Sequence, residues 1–134
     1  MPIVYALEPE LSAAEFRAVL IASSLGQRRP VDEPARLEQM LRQADVIVTA
    51  RDGGRLVGVS RAITDFAFCC YLSDLAVAQA YQHQGIGKQL VAETRSAAGE
   101  KSNLLLIAAP GAEGYYRKLG MKHVDSCWLI ARAS

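Results

Sequence analysis

The chain is short of everything that a metal centre or a disulfide framework requires. Its three cysteines, Cys69, Cys70 and Cys127, have no metal-ligand spacing and cannot all pair with one another. Cys69 and Cys70 fall inside the apolar run FAFCCYL, which predicts two small buried hydrophobes in a reducing compartment. No apolar run approaches the roughly 18 residues of a membrane span, and no block of like charge is sustained. With 15 basic and 14 acidic side chains the net charge is +1, which gives no reason to expect a nucleic-acid partner. The opening MPIVYALEPELSAAEF lacks a basic stretch followed by an apolar one, so the expectation is no secretory signal and a cytoplasmic location. Internal repeats, low-complexity tracts and linkers are missing too.

What is present supports one folded domain over residues 1–134. A hydrophobic content of 51% supplies a core, and 22% charged residues argue against disorder. A chain of this length buries about two thirds of its unfolded surface.

The pattern changes period along the chain. IVYAL (3–7) reads as a strand. Ser12 with Glu15 three residues on forms a capping box, and Leu11 against Phe16 fits the hydrophobic staple, so a helix follows through Val19 and Leu20. Gly26 and Pro30 break it. A second helix is expected from Asp32 to Gln43, with Leu37, Met40 and Leu41 at helical spacing. Residues 46–63 then hold two strand-like runs around Asp52-Gly53-Gly54, a hairpin signal. Residues 66–78 read as a long central strand, 85–99 as a helix, 103–108 as a short buried strand and 111–119 as a last helix closed by Gly120. HVDSCWLIAR alternates toward a final strand, with Trp128 in the core and His123 on the surface. The expected order is β-α-α-β-β-β-α-β-α-β, a mixed sheet carrying helices in the α/β (α+β) class.

The stretch YQHQGIGKQLV, 81–91, carries the first functional signal. Gly85 and Gly87 stand at the mouth of a helix, where bare backbone weakens local order. A helix N-terminus presents unpaired amides and a partial positive charge, and glycine lets phosphate oxygens approach it. The alternative is that the two glycines only permit tight helix–strand packing. A Walker loop is excluded because Lys88 is followed by Gln89, and a dinucleotide fingerprint because its third glycine position is Leu90.

Gln82-His83-Gln84-Gly85-Ile86-Gly87 resembles the Q/R-x-x-G-x-G/A signature of the GNAT superfamily of N-acetyltransferases, which binds the pyrophosphate of acetyl-CoA. Asp74-Leu75-Ala76-Val77 precedes it at the superfamily's usual distance. AEGYYRKLGM, 112–121, is similar to the superfamily's A-x-x-[FY]-Y-x-x-x-G-[FM] helix, with Tyr116 at its tyrosine. The resemblance covers essentially the whole chain.

The resemblance implies acetyl transfer to a primary amine of a small molecule or peptide. It implies that the fourth and fifth strands splay, that pantetheine lies along Leu75, Ala76 and Val77, and that a backbone N–H near Leu75 points at the thioester oxygen. Amides of residues 83–88 would hold the diphosphate, with Lys88 adding charge, or else lying in solvent. Tyr116 is the expected general acid, since a phenol can protonate a departing thiolate of similar basicity. Tyr115 is expected to pack. The base is left open: the superfamily's strand glutamate corresponds to Tyr71, with Cys70 and Ser73 near it, so Asp74 is the nearest carboxylate, which equally suits a hydrogen bond to neighbouring backbone. Glu113 and a water relay are alternatives, and no base is needed for a bound amine of low pKa. Ala109 stands where many members have asparagine. The loop between the first helices, with Arg28 and Arg29, is expected to wall the acceptor site and to clamp an acidic group, or else to pair with Asp32 and Glu33. Many relatives dimerise. A catalytically weak acyl-CoA-binding sensor is the alternative function, and a nucleotide site a third.

Overall fold

The computed structural model describes residues 2–133. Strand β1 (Ile3–Leu7) is followed by α1 (Ala13–Ala22), α2 (Pro34–Arg42), β2 (Val46–Asp52), β3 (Arg55–Thr64) and β4 (Cys69–Val77). Helix α3 (Ile86–Ala98), β5 (Asn103–Leu105) and α4 (Glu113–Lys118) complete the order. The five strands lie in one sheet in chain order, antiparallel from β1 to β4 and parallel between β4 and β5.

Local chemistry accounts for most boundaries. Ser12 caps α1 by accepting the Glu15 N–H at 3.1 Å, while Leu11 and Phe16 are both buried beside the cap. The Glu15 carboxylate does not fold back to the cap. It joins Glu8 on Arg51, which lowers the pKa of both acids through direct hydrogen bonds. Gly53 and Gly54 both take positive φ between the paired Asp52 and Arg55, the two-residue turn that suits the twist of a hairpin. At the β3–β4 turn the Asp65 carboxylate accepts the N–H groups of Ala67, Phe68 and Cys69 at 2.8–3.1 Å, holding its pKa down at about 2.

The core has two apolar layers with the sheet between them. Phe16, Leu20, Leu37 and Leu41 of α1 and α2 pack on Ile47, Val59 and Ala76. On the other face, Ile86, Leu90 and Ala98 of α3 pack on Val46, Val48, Val57 and Leu72. Each fully buried side chain of this size contributes about 1.5–3 kcal/mol.

Four expectations fail here. Among the described residues no strand follows α4; the chain after Gly120 has no regular structure. Trp128 is therefore 93% exposed and Ile130 98% exposed, not core, because no ladder brings them against an apolar layer. Cys69 is exposed while Cys70 is buried, since the strand's alternation turns only one of two neighbours inward. The strand expected to be buried at 103–108 is not: Asn103 and Leu105 are exposed and Leu104 is half-buried, because β5 is the edge of the sheet. The other differences are shifts of boundary: β4 starts at Cys69 and β5 ends at Leu105. Among the described residues no helix is long and apolar enough to cross a membrane.

Candidate active site

Strand β4 is paired differently along its two halves. Cys69, Cys70 and Tyr71 lie opposite Asn103, Leu104 and Leu105 of β5, and the pairing stops there. From Leu72 to Val77 the strand keeps β3 on one side and, among the described residues, has no strand on the other. Its register with β3 slips by one residue at Ser73, since Arg61 faces Asp74 while Ala62 faces Leu72.

The open edge carries particular backbone groups. Ala78 donates its N–H to Val57 O at 2.9 Å, and hydrogen-bonding groups alternate along an antiparallel pair. Ala76 therefore turns its N–H and C=O toward β3, and Leu75 and Val77 turn theirs toward the gap. Val77 O on this edge accepts the Gln82 side-chain amide at 3.0 Å, which fastens the following loop to the strand end. The Leu75 N–H thus faces the gap beside β4.

The loop then enters α3 through two left-handed residues, His83 at φ 66° and Gly85 at φ 85°. Nothing lies within 4 Å of the position a Gly85 side chain would take, so this glycine is required by its backbone angle and leaves open space above it. Ile86 and Gly87 are buried in the first turn, whereas Gln82, His83, Gln84 and Lys88 are exposed. The first-turn amides of a helix have no partner within the helix, and such a positively polarised end suits an anionic group.

Helix α4 lies against that turn. Tyr115 and Tyr116 meet edge to face with ring centroids 5.2 Å apart. Tyr116 is half-buried, and burial first, then the neighbouring Tyr115, raises its pKa above the ordinary 10.0. Glu113 and Ala109 are exposed and half-exposed respectively, at the mouth of this segment.

Asp74 is fully buried, with both carboxylate oxygens engaged: Oδ1 by Arg29 Nε and Oδ2 by Arg61 Nε. The same arginines grip the bulge, Arg29 Nη2 donating to Ser73 O at 2.8 Å and Arg61 Nη2 to Ser73 Oγ at 3.0 Å. The expectation of Asp74 as the base is corrected, because a carboxylate shared by two guanidinium groups out of solvent is a structural anion. Arg29 is corrected as well: it pairs with neither Asp32 nor Glu33 and is not free to clamp an acceptor. Asp32 lies 3.9 Å from Arg17 and Glu33 pairs with Arg36. Arg28 is exposed. Sequence reasoning missed Arg61, although a charge inside the apolar run LVGVSRAI, of which residues 57–62 are buried, was the available signal.

An acetyltransferase (GNAT) domain model matches residues 27–127. The chain belongs to the GNAT acetyltransferase family. Acetyl-CoA is the usual cosubstrate of this acyltransferase family. A GNAT-family acetyltransferase of Streptococcus pneumoniae superposes with a TM-score of 0.81 at 24% identity, covering 99% of this chain and 98% of that one. An aminoglycoside N-acetyltransferase solved with CoA gives 0.76 at 17% identity, over 99% and 96% of the two chains. In sequence, an uncharacterized N-acetyltransferase of Porphyra purpurea is 39% identical over 70 residues, 49% of this chain. The chain spans 39% of that relative's length. The GNAT match includes Asp74 to Val77, the glycine turn and Tyr116, so the segments that carried the resemblance lie inside the family model.

Proposed function

We propose that this GNAT domain, spanning residues 1–134, moves the acetyl group of acetyl-CoA directly to a primary amine of a small molecule or peptide. The observation that carries the reading is the unpaired β4 edge running into a left-handed turn at the N-terminus of α3. When bound, acetyl-CoA supplies an activated thioester carbonyl. Leu75, Ala76 and Val77 would lie along pantetheine, with the gap-facing N–H of Leu75 holding charge that develops on the carbonyl oxygen. Gln82, His83, Gln84, Gly85, Ile86, Gly87 and Lys88 would hold the diphosphate, chiefly through backbone N–H groups.

Tyr116 is the proposed general acid toward the leaving thiolate. Its raised pKa keeps the phenol protonated, and able to donate, throughout the neutral range. Asp74 acts as an anchor that holds the α1–α2 loop against the β4 bulge, and Arg28 is the one of the two loop arginines with its side chain left for an acceptor. Pairing of two copies belongs to the same proposal, supported by the solvent-exposed Trp128, Leu129 and Ile130.

A second reading, a weak acyl-CoA-binding sensor, is favoured by the loss of Asp74 as a base. Release of free coenzyme A thiol from acetyl-CoA across amino acids, polyamines, aminoglycosides and short peptides separates the two. Turnover with one class supports the enzyme and identifies its acceptor; binding without turnover supports the sensor. Tyr116→Phe is expected to lower turnover by about a hundredfold while acetyl-CoA affinity stays within about twofold. It is also expected to abolish the fall in rate as pH rises through the raised phenol pKa. Unchanged turnover would remove Tyr116 from the acid role.

A further inference from the structure

The two glycines of the turn are bare for different reasons. Gly85 has a left-handed backbone and empty space where a side chain would stand. Gly87 has ordinary helical φ, so its backbone would accept any residue. Its side-chain position is instead filled: a methyl group there would overlap Tyr115 Oη, with Tyr115 Cζ at 3.2 Å and Cε2 at 3.8 Å. The phenol of α4 thus rests on the first turn of α3. Among the described residues its hydroxyl makes no hydrogen bond to the protein; the side chain is 42% exposed, and its partial burial raises the phenol pKa. A phenolic O–H therefore sits beside Gly87, in the helix turn whose amides have no partner within the helix.

We propose that Tyr115 is a cofactor-binding residue, whose hydroxyl donates to a diphosphate oxygen of acetyl-CoA and whose contact with Gly87 sets the distance between α4 and the diphosphate turn. The proposal rests on the acetyltransferase reading above. It gives the second glycine a partner within the protein and places the two tyrosines in one device. Tyr115 fixes α4 on the diphosphate turn, and Tyr116, stacked edge to face on it, is carried into position for the thiolate. An oxygen of the diphosphate would then accept from the phenol and from the first-turn amides together, a charge-assisted arrangement.

Two measurements test it. The first compares Kd for acetyl-CoA with Kd for S-acetylpantetheine, which lacks the diphosphate, in the wild-type chain and in Tyr115→Phe, which keeps the ring. Acetyl-CoA is expected to weaken about tenfold, the range of one hydrogen bond to a charged group, and S-acetylpantetheine by less than about twofold, so the ratio of the two narrows. Equal weakening of both thioesters, or no weakening of either, overturns the hydroxyl's role.

The second measures Tm for Gly87→Ala in two backgrounds. In the wild-type chain the new methyl meets the phenol, and Tm is expected to fall by about 5 °C, a loss of order one ordinary destabilising mutation. With Tyr115→Leu the phenol is gone, and the same substitution is expected to raise Tm because alanine is the better helix former. An equal fall in both backgrounds overturns the contact. A wild-type chain that binds neither thioester overturns the acetyltransferase reading, and the cofactor role with it, while the Tm pair still decides whether Gly87 is bare for Tyr115.

Discussion

On the α1–α2 face the sheet meets its helices partly through buried charge, and on the α3 face almost wholly through hydrocarbon. Asp74, Arg29 and Arg61 form an ionic cluster at the first face, where an entire carboxylate is removed from water. On the second face the interior polar contact is a hydroxyl pair, Ser60 with Thr94 at 2.6 Å, and Thr94 passes its own hydrogen to Leu90 O at 2.8 Å. The difference follows from what each face positions. The α3 face holds a helix whose amides need only a fixed axis, and close packing supplies that. The α1–α2 face must also hold the connection between the two helices, whose regular part among the described residues is one short 3-10 turn, Leu25–Arg28. A carboxylate shared between a loop arginine and a strand arginine ties that loop to the bulge at Ser73, and burial makes each broken bond expensive.

The largest expected effect comes from Asp74→Ala, which leaves Arg61 buried without its counter-charge. A loss of about 3–5 kcal/mol in chemical denaturation is expected, with Arg29→Ala costing less because Arg29 is more exposed and Asp74 keeps Arg61. A loss below about 1 kcal/mol for Asp74→Ala would put the cluster on a par with a surface ion pair and erase the contrast between the faces. On the α3 face, Thr94→Val leaves the Ser60 hydroxyl without its acceptor, and a cost of about 1–3 kcal/mol is expected. Adding Ser60→Ala should recover most of it, because two apolar groups replace a satisfied pair. If the double variant is no better than the single one, the hydroxyls do more than satisfy each other.

The smallest effect is at the exposed β3–β4 turn, away from both faces. The Asp65 carboxylate titrates at about 2 against an ordinary 3.8. A depressed folded-state pKa contributes stability that is fully present above the ordinary value and lost as pH falls through about 2. Asp65→Asn should remove that dependence between pH 4 and 2 and leave the rest of the stability profile unaltered, as followed by denaturation across this window. An unaltered acid limb would place its origin in the Glu8–Arg51–Glu15 group instead, whose two acids are also lowered.

Much of the fold was legible because its signals are local. The cap at Ser12, the Gly53-Gly54 hairpin, the amphipathic α3 and the left-handed Gly120 each depend on residues a few positions apart. The expected final strand was misplaced because alternation reports only what a segment suits, and a strand also needs a partner edge. Trp128 was expected inside for the same reason. At the site, the glycine turn and the paired tyrosines could be read from type and spacing, whereas the partners of Asp74 could not, because nothing near it in the chain is basic.

The sequence by itself determined the kind of elements, their order and the family's glycine turn, since propensity, periodicity and backbone permissiveness act over a turn or two of chain. Only the tertiary structure decided that β4 loses its second neighbour after Tyr71, that Arg29 and Arg61 close on Asp74, and that Tyr115 covers Gly87. Those outcomes are set by which distant side chains the packed layers bring within reach. Local pattern does not encode that choice, because the partners of Asp74 and Gly87 lie on other elements of the fold.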